Sequence, residues 1–217
     1  VRALVLGLAR RDWPAEELKE LSALLGKNAD LEAVRRECRL RLLSELNEGP
    51  RQLLYRLSLY SGSITREFAL RMAEVPPSVM EPGGSLDQLV GAWLETETAT
   101  SFRVSPLVSN VGIAQLSEGT RRGLHGAIAR WLVPRSPLDA HQVNAALAHA
   151  LIGGETEVLS RAAFGVIAAG MSTHSKLAVP LFGLRMLRSD LAIFASDPHL
   201  SCLLRLAQCL LVAASDD

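Results

Sequence analysis

The sequence predicts a mainly α-helical chain in three parts. These are a small helical domain over residues 1–46, a winged helix with one short β-hairpin over 47–135, and antiparallel helix pairs forming a solenoid over 136–217. Three observations predict it. Apolar residues recur at three- and four-residue steps along most of the chain, the period of a helix with one buried face. That period breaks at "ETETATSFRV", where polar and apolar residues mix as in a half-exposed hairpin. After the prolines of "VPRSP" the helices pair at a step of about 36–40 residues, the spacing of helical repeats.

In the first part, Leu4 and Leu8 share a face in a helix that breaks at Asp12-Trp13-Pro14. Leu18, Leu21 and Leu25 form the stripe of the second helix, with Gly26 as its stop. Asp30 caps a third, in which Leu31, Val34, Cys38 and Leu42 follow at helical steps. Gly49-Pro50 ends that run and starts the next, because proline fits a first turn. Leu53, Leu54, Leu57 and Tyr60 then point inward, and Gly62 closes the helix.

Thr65 opens a helix carrying Phe68, Ala69 and Met72, with Ile64 stapling its start. "VPPSVMEPGG" is a loop. Ser85 with Gln88 three residues on matches a capping box, and Leu86, Leu89, Val90, Trp93 and Leu94 form the stripe behind it. Thr96 to Val104 is the hairpin, the wing. Ser105-Pro106 caps and starts a helix through Leu116, and Ser117 caps the next, with Leu124, Ile128, Trp131 and Leu132.

In the last part Ser136-Pro137 starts a helix with Val143, Leu147 and Leu151, ended by Gly153-Gly154. A second helix carries Val158, Leu159, Ala162 and Ile167 to Gly170. Thr173 opens a third, with Leu177, Leu181 and Leu184 and a bend at Pro180. Asp197-Pro198 starts a fourth, with Leu200, Leu203, Leu204, Leu210 and Leu211. Their spacing gives a solenoid of the tetratricopeptide or HEAT sort, without the consensus residues of either repeat.

Composition narrows the function. Basic and acidic residues balance at 23 each, so no net field draws a polyanion to the chain. Cys38, Cys202 and Cys209 make no disulfide framework. Cys202 and Cys209, on one helix face, read as small apolar core residues, which fits a reducing cytoplasm. No apolar run approaches the ~20 residues of a membrane span, and no signal peptide opens the chain. Both ends fall on helical patterns, which reads as a segment of a longer protein.

A winged helix that reads duplex DNA needs cations beside the phosphates. The candidate recognition helix, "SLDQLVGAWLE", holds Asp87 and Glu95 and no Lys or Arg; the hairpin adds Glu97 against Arg103. Arginines cluster elsewhere, at Arg35, Arg36, Arg39 and Arg41 and at Arg121 and Arg122. The first cluster alternates with Glu32 and Glu37 and reads as a solvated, salt-bridged face.

Catalytic signatures are not found. Gly26-Lys27 is followed by Asn28 and lacks the earlier glycine of a phosphate-binding loop. Ser63 lies in no nucleophile elbow. His125, His141, His149, His174 and His199 form no His-Glu-x-x-His pair, and His141 and His149, which share a helix face, have no carboxylate at ligand spacing. The expectation is a non-enzymatic chain with no catalytic residues and no metal site.

Four stretches together resemble one family, the STAND class of signal-transducing P-loop ATPases that includes the NB-ARC and NACHT proteins. "VRALVLGLARRDWPAEEL" is similar to the helical domain that follows their nucleotide-binding core. "EGPRQLLYRLSLYSGSITREFALRMAEV" and "LDQLVGAWLETETATSFRVSPLVSNVGIAQL" resemble the two halves of their winged helix, and "RRGLHGAIARWLV" the helix leading into the repeats. The resemblance implies a regulatory segment whose winged helix docks on an upstream nucleotide-binding domain and whose repeats bind a protein or other ligand. It implies no cofactor in this segment, ATP or ADP in the whole protein, and no direct contact with nucleic acid or membrane. A second implied role is the ligand-sensing segment of a STAND-type transcriptional regulator. Where the family often has a nucleotide-sensing histidine before "PL", this chain has Ser105. Either that hydroxyl reaches a nucleotide phosphate, or it caps the helix that Pro106 begins.

Overall fold

The computed structural model describes residues 15–16, 19, 23, 43–105, 108, 112–133, 140–171 and 197–213. The helices expected before Leu43 with their arginine cluster, the Ser136-Pro137 start, and the helix opening at Thr173 with its Pro180 bend lie outside these residues. Among the described residues the chain is mainly helical, with seven α-helices and a small three-stranded antiparallel sheet. It divides into two compact units, Val1–Ser117 and Glu118–Asp217.

In the first unit, α1 spans Glu48–Leu57 and buries Leu53, Leu54 and Leu57 on one face, with Pro50 harmless in the first turn. Each such leucine, moved from water to the interior, stabilises the unit by about 1.5–3 kcal/mol. Tyr60, just past the helix, is half-buried with its ring centroid 5.0 Å from that of Phe68. Helix α2, Arg66–Glu74, begins as expected: the Phe68 N–H donates to Thr65 Oγ1 over 3.2 Å. Ile64, expected as a staple, also forms a strand. With Thr65 it makes β1, antiparallel to β3, Ile64 opposite Phe102. A two-residue strand has no alternation to read.

The capping box at Ser85 is corrected. Helix α3 spans Pro82–Leu89, a turn earlier than expected, so part of the expected loop is helix. Pro82 supplies the start, the Ser85 N–H donates to the Glu81 carbonyl, and Ser85 Oγ donates to the Met80 carbonyl. The stripe behind it is also shared between elements. Leu86 and Leu89 are buried on α3, which stops at Leu89; Gly91 has φ +88°, and Leu94 is already in β2. Strands β2, Leu94–Thr98, and β3, Ser101–Val104, form the expected hairpin, and the sheet order is β1-β3-β2. Of the helix expected from Ser105 to Leu116, the described residues contain a 3-10 turn at Ile113–Gln115.

In the second unit, α4 spans Glu118–Leu132, α5 Ala140–Gly153, α6 Thr156–Met171 and α7 Pro198–Ala213. Their core includes Ala129, Leu147, Ala150, Leu159, Leu200 and Leu204. Helices α4 and α5 touch backbone to backbone: a Cβ on Gly153 would lie 2.5 Å from the Gly126 nitrogen. Gly154, at φ +70°, then turns the chain into α6. Helix α7 begins at the expected Asp197-Pro198, where Asp197 Oδ1 accepts from the Leu200 N–H over 3.0 Å and caps it. The reading of Cys202 and Cys209 as core is corrected. Helix α7 buries the stripe of Leu200, Leu204 and Ala207, and both cysteines fall outside that stripe and are exposed.

Candidate functional site

In the first unit the candidate surface is built from α2, α3, the turn between them and the hairpin. Its foundation is Arg56, 2% exposed within the apolar face of α1. The guanidinium runs beneath the C-terminal end of α2. Nη1 donates to the carbonyls of Met72 (3.0 Å), Ala73 (3.3 Å) and Val75 (2.6 Å), and Nη2 to that of Pro77. A helix end leaves such carbonyls without partners and carries the negative pole of its dipole, so they serve in place of a carboxylate. Burial lowers the proton affinity of the guanidinium, which nonetheless stays charged.

The α2–α3 turn is thereby held from inside the unit. The Val79 N–H closes back on the Ala73 carbonyl over 2.8 Å, and Met80 projects outward, 81% exposed. Glu81 takes a left-handed conformation, φ +46°, a region that costs a residue with a Cβ some strain.

Charge on this surface differs from the sequence reading in one respect. Asp87 is not an uncompensated acid: Arg66, from α2, donates to its carboxylate at 2.6 Å. That hydrogen bond holds the Asp87 carboxyl below its ordinary range and raises the Arg66 guanidinium. Glu95 stands opposite Arg103 across the hairpin, with Glu97 4.0 Å from the Arg103 guanidinium, and Arg71 pairs with Glu67 at 3.2 Å. The balance still favours acid. Between Arg66 and Val104 the chain carries three arginines against Glu67, Glu74, Glu81, Asp87, Glu95 and Glu97, a net charge of −3. Each arginine already faces a carboxylate.

Ser105 lies just beyond β3 and is 5% exposed. Its N–H donates to the Trp93 carbonyl and its carbonyl accepts from Val108, both over 2.9 Å. The backbone at Ser105 thus ties the end of the hairpin to the segment after α3.

The second unit brings together two residues that the sequence left apart. His149 was matched with His141 by helical spacing; its ring instead meets His125 of α4, with Nδ1 atoms 2.8 Å apart and centroids 4.8 Å apart. Burial, and then His125, push the His149 imidazole down to about 4; burial, and then Arg121, lower that of His125. Both rings are neutral at pH 7, so one Nδ1–H donates to the other Nδ1. Around them Arg122 reaches the Gly153 carbonyl at 3.4 Å, and Arg130 pairs with Glu155. Among the described residues no group of three or more His, Cys, Asp or Glu side chains gathers as a metal site, and no helix is long and apolar enough to cross a membrane.

No family model, curated protein or solved structure matches this chain.

Sequence reasoning missed Arg56, Arg66 and the histidine pair. Arg56 had a signal: it sits inside the run Leu53-Leu54-Tyr55-Arg56-Leu57, where helical spacing places it beside buried leucines. The other two depend on contacts between segments 21 and 24 residues apart, which no local period reports.

Proposed function

We propose that this chain is a non-catalytic regulatory segment of a STAND-class ATPase. Residues 47–135 act as a winged helix that docks on an upstream nucleotide-binding domain, and the helical pairs after them bind a protein or other ligand. The observation that carries this reading is the surface of α2, α3 and the hairpin. It has a net charge of −3, with each of its three arginines facing a carboxylate, on a turn fixed from below by Arg56. Duplex recognition asks for the reverse, cations free to replace counterions along the backbone. A face whose arginines are already paired, whose turn is braced from within and which carries one protruding methionine suits a protein partner, because little ordering entropy is lost on contact.

The element order helix, short strand, helix, helix, hairpin, with a sheet ordered β1-β3-β2, supports the winged-helix part of the reading. Regulation would then be a two-state contact: one ligand, nucleotide, favours the docked state and the ligand of the repeats favours release.

The test is to co-express the chain with the polypeptide encoded immediately upstream and measure their association in ADP and in ATP. Tighter association in ADP, weakened by Met80→Asp, is the expected result. An upstream region without a phosphate-binding loop, nucleotide-independent binding, or ATP turnover by the 217-residue chain alone would overturn the reading.

A further inference from the structure

We propose that His125 and His149 form a two-nitrogen chelate for a divalent transition-metal ion of tetragonal preference, such as Ni²⁺ or Cu²⁺, with water completing the coordination. The site stands on the second unit alone and does not depend on the function proposed above.

Two observations carry it. The first is the bite. Metal–imidazole bonds are ~2.0–2.1 Å, so two Nδ1 atoms 2.8 Å apart subtend an angle of about 85–90° at a shared ion. That is the angle between neighbouring ligands in square-planar and tetragonal complexes, well below the ~109° of tetrahedral zinc.

The second is rigidity. Each imidazole comes from a different helix, and those helices are locked where they meet. His125 precedes Gly126, and His149 lies one turn before Gly153; the backbones at the two glycines are in contact. Arg122, donating to the Gly153 carbonyl, and the Arg130–Glu155 pair hold the same junction. A preorganised pair loses little freedom on binding an ion.

A metal needs the imidazole lone pair. In the free pair one proton lies between the Nδ1 atoms. On binding, that proton leaves Nδ1 and a proton is taken up at Nε2 of the same ring. Both Nδ1 lone pairs then face the ion, with no net proton release. Glu155, paired with Arg130, places a carboxylate beside Gly126 at the same junction.

The experiment titrates the 217-residue chain with Ni²⁺, which does not oxidise the exposed thiols of Cys202 and Cys209, and follows calorimetry and histidine-ring NMR signals together. One equivalent is expected to bind and to broaden the rings of His125 and His149 before those of His141, His174 and His199. His125→Gln and His149→Gln each fill similar space and keep a hydrogen-bonding group. Each should weaken that equivalent by roughly tenfold or more. If one variant fails to fold by circular dichroism, the other carries the test. Broadening that starts at another histidine, an affinity unchanged in a folded variant, or no saturation below ~1 mM Ni²⁺ overturns the proposal.

Discussion

Acidification should weaken the second unit through His149, and the amount follows from its surroundings. Its imidazole is held at about 4 in the folded chain, against 6.5 when solvated. Between those values the unfolded chain binds a proton that the folded one refuses, so stability falls as pH falls. The contribution is fully present above about pH 6.5 and is gone below about 4. Each tenfold in proton affinity is worth about 1.4 kcal/mol, so lowering the pH from 7.5 to 5 costs about 2 kcal/mol from this group. Stopping at pH 5 leaves most carboxylates ionised. His125, lowered by burial and by Arg121, adds in the same direction. The assay is urea unfolding followed by far-UV circular dichroism at both pH values, for the wild-type chain and for His149→Gln, which cannot titrate. With a slope of about 1–3 kcal/mol per molar urea, the wild-type midpoint should drop by up to about 2 M more than that of the variant. Equal drops would refute the reasoning, because they would mean that burial does not hold His149 neutral.

Four further outcomes are expected. Arg56→Met takes the guanidinium donor from the buried carbonyl of Met72, at about 1–3 kcal/mol, so thermal unfolding of the first unit should come earlier. Gly153→Ala drives a methyl into the backbone of Gly126 and should cost about 1–3 kcal/mol in a urea melt, whereas Gly119→Ala, with open space around it, should not. Thr65→Ala removes the cap of α2 and should cost about 1 kcal/mol by the same measurement. Fluorescence anisotropy with labelled duplex DNA at ~150 mM salt should show no binding by the wild-type chain.

The helices of the second unit were legible because each has its own local signals. Asp197-Pro198 announces a start, Gly153-Gly154 a stop, and Leu200 with Leu204 a buried stripe. The hairpin was legible for the same reason, from the polar run between Leu94 and Phe102. Errors came where a residue's role depends on a distant partner. Ser85 has the pattern of a cap, but Pro82 starts the helix first. The seven-residue spacing of Cys202 and Cys209 does put them on one side of a helix; which side is buried depends on where α6 packs, and it is not theirs.

The same distinction bears on charge. Reading α3 by itself gives an acidic helix, and acidity alone would turn away a polyanion. Arg66 removes part of that argument, since it lies on the preceding helix and neutralises Asp87 across the α2–α3 turn. An exposed pair of this kind is worth at most about 1 kcal/mol, so a phosphate could compete for the arginine. Competition at Arg66, Arg71 or Arg103 would release Asp87, Glu67 or Glu97 beside the incoming phosphate, and Glu74, Glu81 and Glu95 stand on the same stretch. Each cation recruited therefore exposes an anion. A protein partner meets no such penalty, because it can leave the pairs intact and seat Met80, which the Arg56-braced turn holds outward.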